Sequence, residues 1–209
     1  YQKIWWDEGS PLVVLSERMH KKVQPLANVP VALSMRYGSM NIEKGLQELH
    51  DKGVDEVLLF PLYPQYAMAS TLTILVKAEE IRKKKFPNMK FTDVPAFYNK
   101  PDYIKNLADS IQKHLSGFEY DHLLFSYHGI PERHIRKTDV TKSHCKIDGS
   151  CCNTPSPAHD FCYRHQCYET TRQVVKLLNI PADKYSLTFQ SRLAGDKWLE
   201  PYTDVEIDK

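Results

Sequence analysis

Two constellations in this chain of 209 residues could do chemistry. The first is His128, which follows the apolar run 122–127 (HLLFSY) and precedes Gly129-Ile130-Pro131. An imidazole titrates near neutrality and carries a nitrogen lone pair, so at the tip of a strand it can take up a proton or hold a metal ion. The plainer alternative is a histidine hydrogen-bonded at a loop start. Gly129 would let the backbone turn sharply or a ligand come close. The second constellation is a set of five cysteines, all between Cys145 and Cys167. Without a secretory signal, such a cluster reads as metal-binding before disulfide, and a cytoplasmic location is expected. Three ligations compete. An iron–sulfur cluster takes four thiolates and would leave one cysteine over. Zinc could use four cysteines or draw on His144, His159 or His165, although two short C-x2-C knuckles are missing. Disulfides would need an oxidising setting and would leave one thiol odd.

These residues must be positioned by regular elements, and the sequence alternates between helix-like and strand-like segments. Residues 11–26 read as a helix with Pro11 near its start, where the missing N–H costs nothing. Ile42, Leu46 and Leu49 share one helical face, which Gly53 ends. Residues 71–85 and 168–178 read as helices, and Ile104, Leu107, Ala108, Ile111 and Leu115 form a clear helical stripe. Strands are expected at 29–35, at 56–60 and 122–127 as buried runs, at 90–94 and at 185–190, with a cysteine-rich loop from about 131 to 166. Strands alternating with helices of this length imply an α/β fold with parallel sheets covered on both faces. A loop bounded by prolines near 96–101 divides the chain into units at about 1–98 and 99–209.

In open parallel sheets, ligands gather beyond the carboxyl ends of the strands. Those ends here carry Arg36 and Tyr37, then Tyr63 and Tyr66 in a proline-bounded loop, then His128, and last Gln190-Ser191-Arg192 with Trp198 shortly after. Such a set would suit a flat, apolar ligand with an anionic edge: aromatic faces for the plane, Arg36 and Arg133 for carboxylates.

Bulk properties narrow the field. Hydrophobic residues make up 42% and charged residues 26%, as in a folded globular protein. A formal charge of +2 leaves no electrostatic footprint for nucleic acid. The basic run Arg82-Lys83-Lys84-Lys85 reads as the solvated last turn of a helix. No apolar stretch reaches the roughly 18 residues of a membrane span. Membrane association is possible but not visible in these residues.

Read together, the motifs resemble one family. Ser126-Tyr127-His128-Gly129-Ile130-Pro131 resembles the signature segment of ferrochelatases. Arg36-Tyr37, Leu62-Tyr63-Pro64-Gln65-Tyr66, Thr188-Phe189-Gln190-Ser191-Arg192 and Trp198-Leu199-Glu200-Pro201 are similar, in order, to further blocks of that family. The resemblance implies a chelatase-type fold of two similar Rossmann-like α/β units facing a cleft. It implies His128 as the catalytic residue and contact for the substrate iron, with Arg36, Tyr37, Tyr63, Tyr66, Gln190 and Trp198 toward the porphyrin. The implied reaction inserts Fe2+ into protoporphyrin IX, with porphyrin and ferrous iron as partners.

The cysteine stretch at about 138–167 resembles an insertion found in a subset of bacterial ferrochelatases, where it carries a [2Fe–2S] cluster. That implies four of Cys145, Cys151, Cys152, Cys162 and Cys167 as ligands. Cys145, Cys152 and Cys162 come first; Cys151 competes with its neighbour, and a cysteine at 167 also occurs in relatives without the insertion. Ala67-Met68-Ala69 departs from a more hydroxyl-rich family stretch, and no carboxylate here matches the family's catalytic acid. The chain is therefore expected to be truncated at both ends and not competent alone. The competing functions are a cobalt chelatase, which would usually carry further histidines in the cleft, and a non-catalytic haem- or metal-binding module.

Overall fold

Parallel pairing of strands separated by helices organises both halves of the chain. The computed structural model describes residues 2–193 and 195–209, and the chain divides into two units. One comprises Tyr1–Pro61 and Thr73–Val94, the other Leu62–Leu72 and Pro95–Lys209.

In the first unit, α1 (Pro11–Val23) begins at Pro11 and passes into a 3-10 turn at Gln24–Leu26. Helix α2 (Ile42–Asp51) is capped by the Asn41 side chain, which accepts from the Lys44 N–H. It ends where Gly53 takes φ +77°, a conformation open to glycine at little cost. Strands β1 (Glu56–Leu59) and β2 (Lys90–Asp93) are parallel, Glu56 opposite Lys90 and Leu59 opposite Asp93, and α3 (Thr73–Lys85) links them. Ile42, Leu46, Leu49, Val57, Ala78 and Phe86 form the core.

Four expectations need correction. Residues 29–35 form no strand: the Val31 N–H and the Val29 carbonyl are bonded by the Gln24 side chain, and the Val31 carbonyl meets His20. Side chains thus satisfy a backbone that would otherwise seek a ladder. Strand β1 is half-exposed rather than buried, with Leu58 64% accessible, because cover lies on one face among the described residues. Strand β3 is likewise only partly covered. In the basic run, Arg82 is engaged rather than solvated. It makes two bonds to the Glu79 carboxylate and donates to the carbonyls of Pro87 and Met89, pinning the approach to β2.

In the second unit, α4 (Pro101–Leu115) leads to β3 (Leu123–His128). A short helix, α5 (Glu132–Thr138), follows, and 3-10 turns at Ser150–Asn153 and Pro157–Phe161 shape the cysteine-rich stretch. Helix α6 (Tyr163–Leu178), strand β4 (Tyr185–Gln190) and α7 (Thr203–Ile207) complete the unit. Strand β4 pairs parallel with β3, from Leu123 opposite Tyr185 to His128 opposite Gln190. The helical stripe is realised where Ile104 and Ala108 of α4 pack on Val174 of α6 and on Phe125. The fourth correction concerns the stretch read as loop: it contains α5, and α6 starts at Tyr163 rather than at 168. Cys162 is the helix cap, its Sγ accepting from the His165 N–H at 3.5 Å, a role usually filled by a side-chain oxygen.

The first-unit core makes a quantitative test. Leu46, 3% exposed, sits among those side chains. In the complete protein, Leu46→Ala should lower unfolding free energy by about 3 kcal/mol, measured by denaturant titration.

Candidate functional site

The ladder of β3 with β4 delivers His128 to a carboxyl strand end, exposed and opposite Gln190. Beyond it the two chains stay stitched. The Gly129 N–H donates to the Gln190 carbonyl at 2.7 Å, Glu132 N–H to Lys197 at 2.9 Å, and Leu199 N–H to Ile130 at 3.0 Å. Pro131 pairs with Trp198 in a further bridge. The structure therefore brings His128, Gln190 and Trp198 into one neighbourhood. Gly129 has little choice of residue, because a Cβ there would lie 2.8 Å from the Gln190 carbonyl oxygen and 3.4 Å from the Trp198 ring. Below the strand end, Glu132 is buried between Lys197 at 3.3 Å and Arg136 at 3.7 Å. Arg133, a candidate carboxylate binder, already pairs with Asp196 at 3.2 Å.

The His128 carbonyl accepts from the Tyr163 hydroxyl at 2.8 Å. Burial pushes the Tyr163 hydroxyl well above the usual phenol range, so it stays a donor. Tyr63 and Tyr66 share a loop that belongs to this second unit. Tyr63 is exposed; Tyr66 is half-buried, its hydroxyl also raised by burial, and its ring meets Phe161 edge-on at 5.2 Å. The loop is anchored on α6: the Tyr66 N–H donates to the Gln166 side chain at 2.7 Å, and Gln65 donates to Thr170 at 3.0 Å.

Arg36 and Tyr37 lie in the first unit. The guanidinium stacks over the Tyr37 ring at 4.8 Å, while Tyr37 is 77% exposed. The Arg36 Nε is buried and without a protein partner among the described residues.

The cysteines are free thiols, four of them buried and Cys145 half-exposed. Cys145, Cys151 and Cys162 line one small hollow together with Asp139, His144 and His159. Cys152 is hydrogen-bonded to Cys162; this bond, helped by the guanidinium of Arg164, holds the Cys152 thiol low, and the same bond with burial raises Cys162. Burial pushes Cys145 up to about 11, and Cys151 and Asp139 add to the rise. Cys167 is different: fully buried, it packs in the core with Phe189 and Leu199 and touches Tyr163. Arg164, 3% exposed, donates to the carbonyls of Ile147 at 2.6 Å and Lys146, and to the Cys151 sulfur at 3.5 Å. Its charge neighbours include Cys145, Cys151 and Cys152 and, more weakly, the Asp148 carboxylate, and its Nε has no partner among the described residues. Among the described residues, no three His, Cys, Asp or Glu side chains are gathered, as they stand, to hold a metal ion. No described helix is long and apolar enough to cross a membrane.

Histidines brace the stretch. His144 and His159 approach each other at 3.3 Å and both reach the Cys151 carbonyl, at 3.1 and 3.2 Å. His159 stacks on His165 at 3.5 Å, and burial lowers the proton affinity of both. Asp139 ties the start of the stretch, accepting from the Thr141 N–H and hydroxyl and from the Cys145 N–H at 2.8 Å. Burial would raise its carboxyl, but these bonds prevail and hold it at about 2. Asp139, Tyr163, Arg164 and Gln166 were not singled out from sequence. For Arg164 and Gln166, their place between Cys162 and Cys167 was the available signal.

Two outcomes follow. Gly129→Ala should displace the 190–199 segment and lower the melting temperature by several degrees, a shift of about 1–3 kcal/mol for an overpacked site. Because the folded-state value of Asp139 lies below the unfolded value of about 3.9, its contribution is fully present above about pH 4 and lost as pH falls toward 2. Unfolding titrations between pH 5 and pH 2 should show that loss in the native chain, and Asp139→Asn should lack it while being less stable at pH 6.

Comparison with known proteins places the chain. The ferrochelatase family profile matches residues 1–209. Proteins named ferrochelatase from Pseudomonas syringae pv. tomato and Ectopseudomonas mendocina are each 43% identical over the whole chain. One from Opitutus terrae is 42% identical. The chain spans 62%, 62% and 61% of the length of these three relatives respectively. A histidine-tipped parallel strand, clamped to its neighbour and continued by the family's blocks in order, agrees with that match: the chain belongs to the ferrochelatase family.

Proposed function

We propose that the complete protein inserts ferrous iron into protoporphyrin IX to form haem. The observation that carries this reading is the exposed His128 imidazole at the end of β3, its backbone fixed by Gln190 and Tyr163 so that the side chain alone is free to act. Metallation removes two N–H protons from the ring and delivers a cation to one of its faces. Neutral imidazole can accept such a proton or hold the ferrous ion; imidazolium can do neither. Tyr63 and Tyr66 offer aromatic faces to a flat macrocycle, with Gln190 and Trp198 beside the histidine. Arg36 and Tyr37, the latter largely exposed, would receive the anionic edge. Binding that bends the ring would expose its nitrogen lone pairs and favour the metallated geometry.

The cysteine-rich stretch is proposed to hold a [2Fe–2S] cluster through Cys145, Cys151, Cys152 and Cys162, with Cys167 left as a core residue. The support is chemical: Cys145, Cys151 and Cys152 all interact with one buried guanidinium, and a thiolate set would neutralise Arg164 where it now pairs with carbonyls. Ligation would draw the thiols closer than they stand. A cluster there would staple the stretch or sense oxidants; iron insertion transfers no electron and asks no redox step of it.

His128→Ala in the complete enzyme should cut iron insertion by about 100-fold or more, in line with loss of an acid–base group, with porphyrin binding measured by fluorescence largely intact. Retained turnover would end the assignment. Protein purified without oxygen should be brown, with an iron-to-sulfide ratio near one. Cys162→Ser should lose that iron and Cys167→Ser keep it, whereas a colourless protein with stoichiometric zinc would overturn the cluster.

A further inference from the structure

Helix α6 begins inside the cysteine-rich stretch and ends far from it, and its first two turns touch both parts of the candidate site. Gln166 is wholly buried and fully engaged. Its Oε1 accepts from the Tyr66 N–H at 2.7 Å, and its Nε2 donates to the carbonyls of His159 at 3.0 Å and Asp160 at 2.9 Å. One side-chain amide therefore binds the tyrosine loop to the backbone that leads into Cys162. With its donors and its acceptor all committed, neither backbone can shift alone without stranding a buried polar group. The edge-on contact of Phe161 with Tyr66 lies alongside. Three residues earlier, on the same helical face, Tyr163 donates to the His128 carbonyl and touches Cys167. Cys162, the cap of the helix, precedes both.

We propose that Gln166 is a positioning residue that passes the state of the cysteine-rich stretch to the Tyr66 loop, and that Tyr163 does the same for the backbone of His128. The inference rests on the reading of Tyr66 and His128 as porphyrin-facing groups and of Cys162 as a ligand. It adds a route by which loss of what the thiols hold loosens the site: the α6 cap relaxes, the 159–160 carbonyls move, and Gln166 releases the Tyr66 amide. The two arms act on different sides of the site and are separable.

Hydrogen–deuterium exchange of the complete protein, resolved by peptide mass, tests this. Cys162→Ala, which removes both the thiol and the cap, should speed exchange in residues 62–72 about tenfold, the loss of roughly one buried hydrogen bond. Gln166→Met, close in volume, should do so with every cysteine present, and adding Cys162→Ala to it should change 62–72 no further. Tyr163→Phe removes a single hydroxyl; it should speed exchange around Gly129, leave 62–72 untouched, and abolish the effect of Cys162→Ala at Gly129. The proposal is overturned if Cys162→Ala leaves 62–72 unchanged, or if it acts with equal force in the Gln166→Met or Tyr163→Phe background. Failure of the underlying readings looks different. This exchange pattern in a protein that binds no protoporphyrin, or in one whose iron content ignores Cys162→Ala, would keep the coupling and remove the porphyrin or cluster assignment.

Discussion

The parallel ladder between Leu123–His128 and Tyr185–Gln190 is the constraint on which the second unit depends. Its register sets His128 across from Gln190, and its continuation through Gly129, Ile130 and Glu132 ties the following turns to the 190–199 segment by hydrogen bonds. A slip of one residue would turn the imidazole to the other face of the sheet. Gly129 guards that register sterically, since any side chain there would meet the Gln190 carbonyl. The helices are supports for this pair: α4 and α6 meet through Ile104, Ala108 and Val174 beneath Phe125 of β3.

Electrostatics shape the neighbouring stretch. A guanidinium that is 3% exposed and answered by carbonyls and sulfurs is an expensive arrangement unless negative charge gathers around it. The hydrogen bond from Cys162, aided by the charge of Arg164, holds Cys152 low rather than raised by its own burial. Asp139 anchors one end of the stretch with hydrogen bonds strong enough to outweigh its burial, and Cys162 caps the other. The stretch is consequently a built element with fixed ends. It meets Tyr66 through Gln166 of α6 and the Phe161 ring, and His128 through Tyr163 of α6.

Much of this was legible in the residues. Helical stripes at Ile104–Ala108 and Ile42–Leu49 follow from periodicity, the stop at Gly53 from turn chemistry and the strands β1, β2, β3 and β4 from short apolar runs, and the alternation of types gave the α/β class. The run at 29–35 misled because apolar composition does not show who satisfies a backbone; Gln24 and His20 do so, from a helix earlier in the chain. The start of α6 was missed because cysteine is a rare cap. The solvated reading of Arg82 failed because two of its partners, the carbonyls of Pro87 and Met89, are backbone groups that carry no residue signature, although its pairing with Glu79 three residues earlier was legible. The same blindness hid Gln166 and Arg164, whose roles are defined by carbonyls and an amide brought near by folding. Sequence therefore revealed the groups that face outward to chemistry better than those that hold them.

Metallation itself is the decisive property of the complete protein. Free-base protoporphyrin fluoresces, and insertion of iron quenches it, so the complete protein, purified without oxygen and given Fe2+ with protoporphyrin IX, supplies the direct measurement. Loss of porphyrin emission over many turnovers per protein, with haem accumulating in proportion, is the predicted result. Porphyrin that binds yet keeps its emission in the presence of ferrous iron would contradict the account.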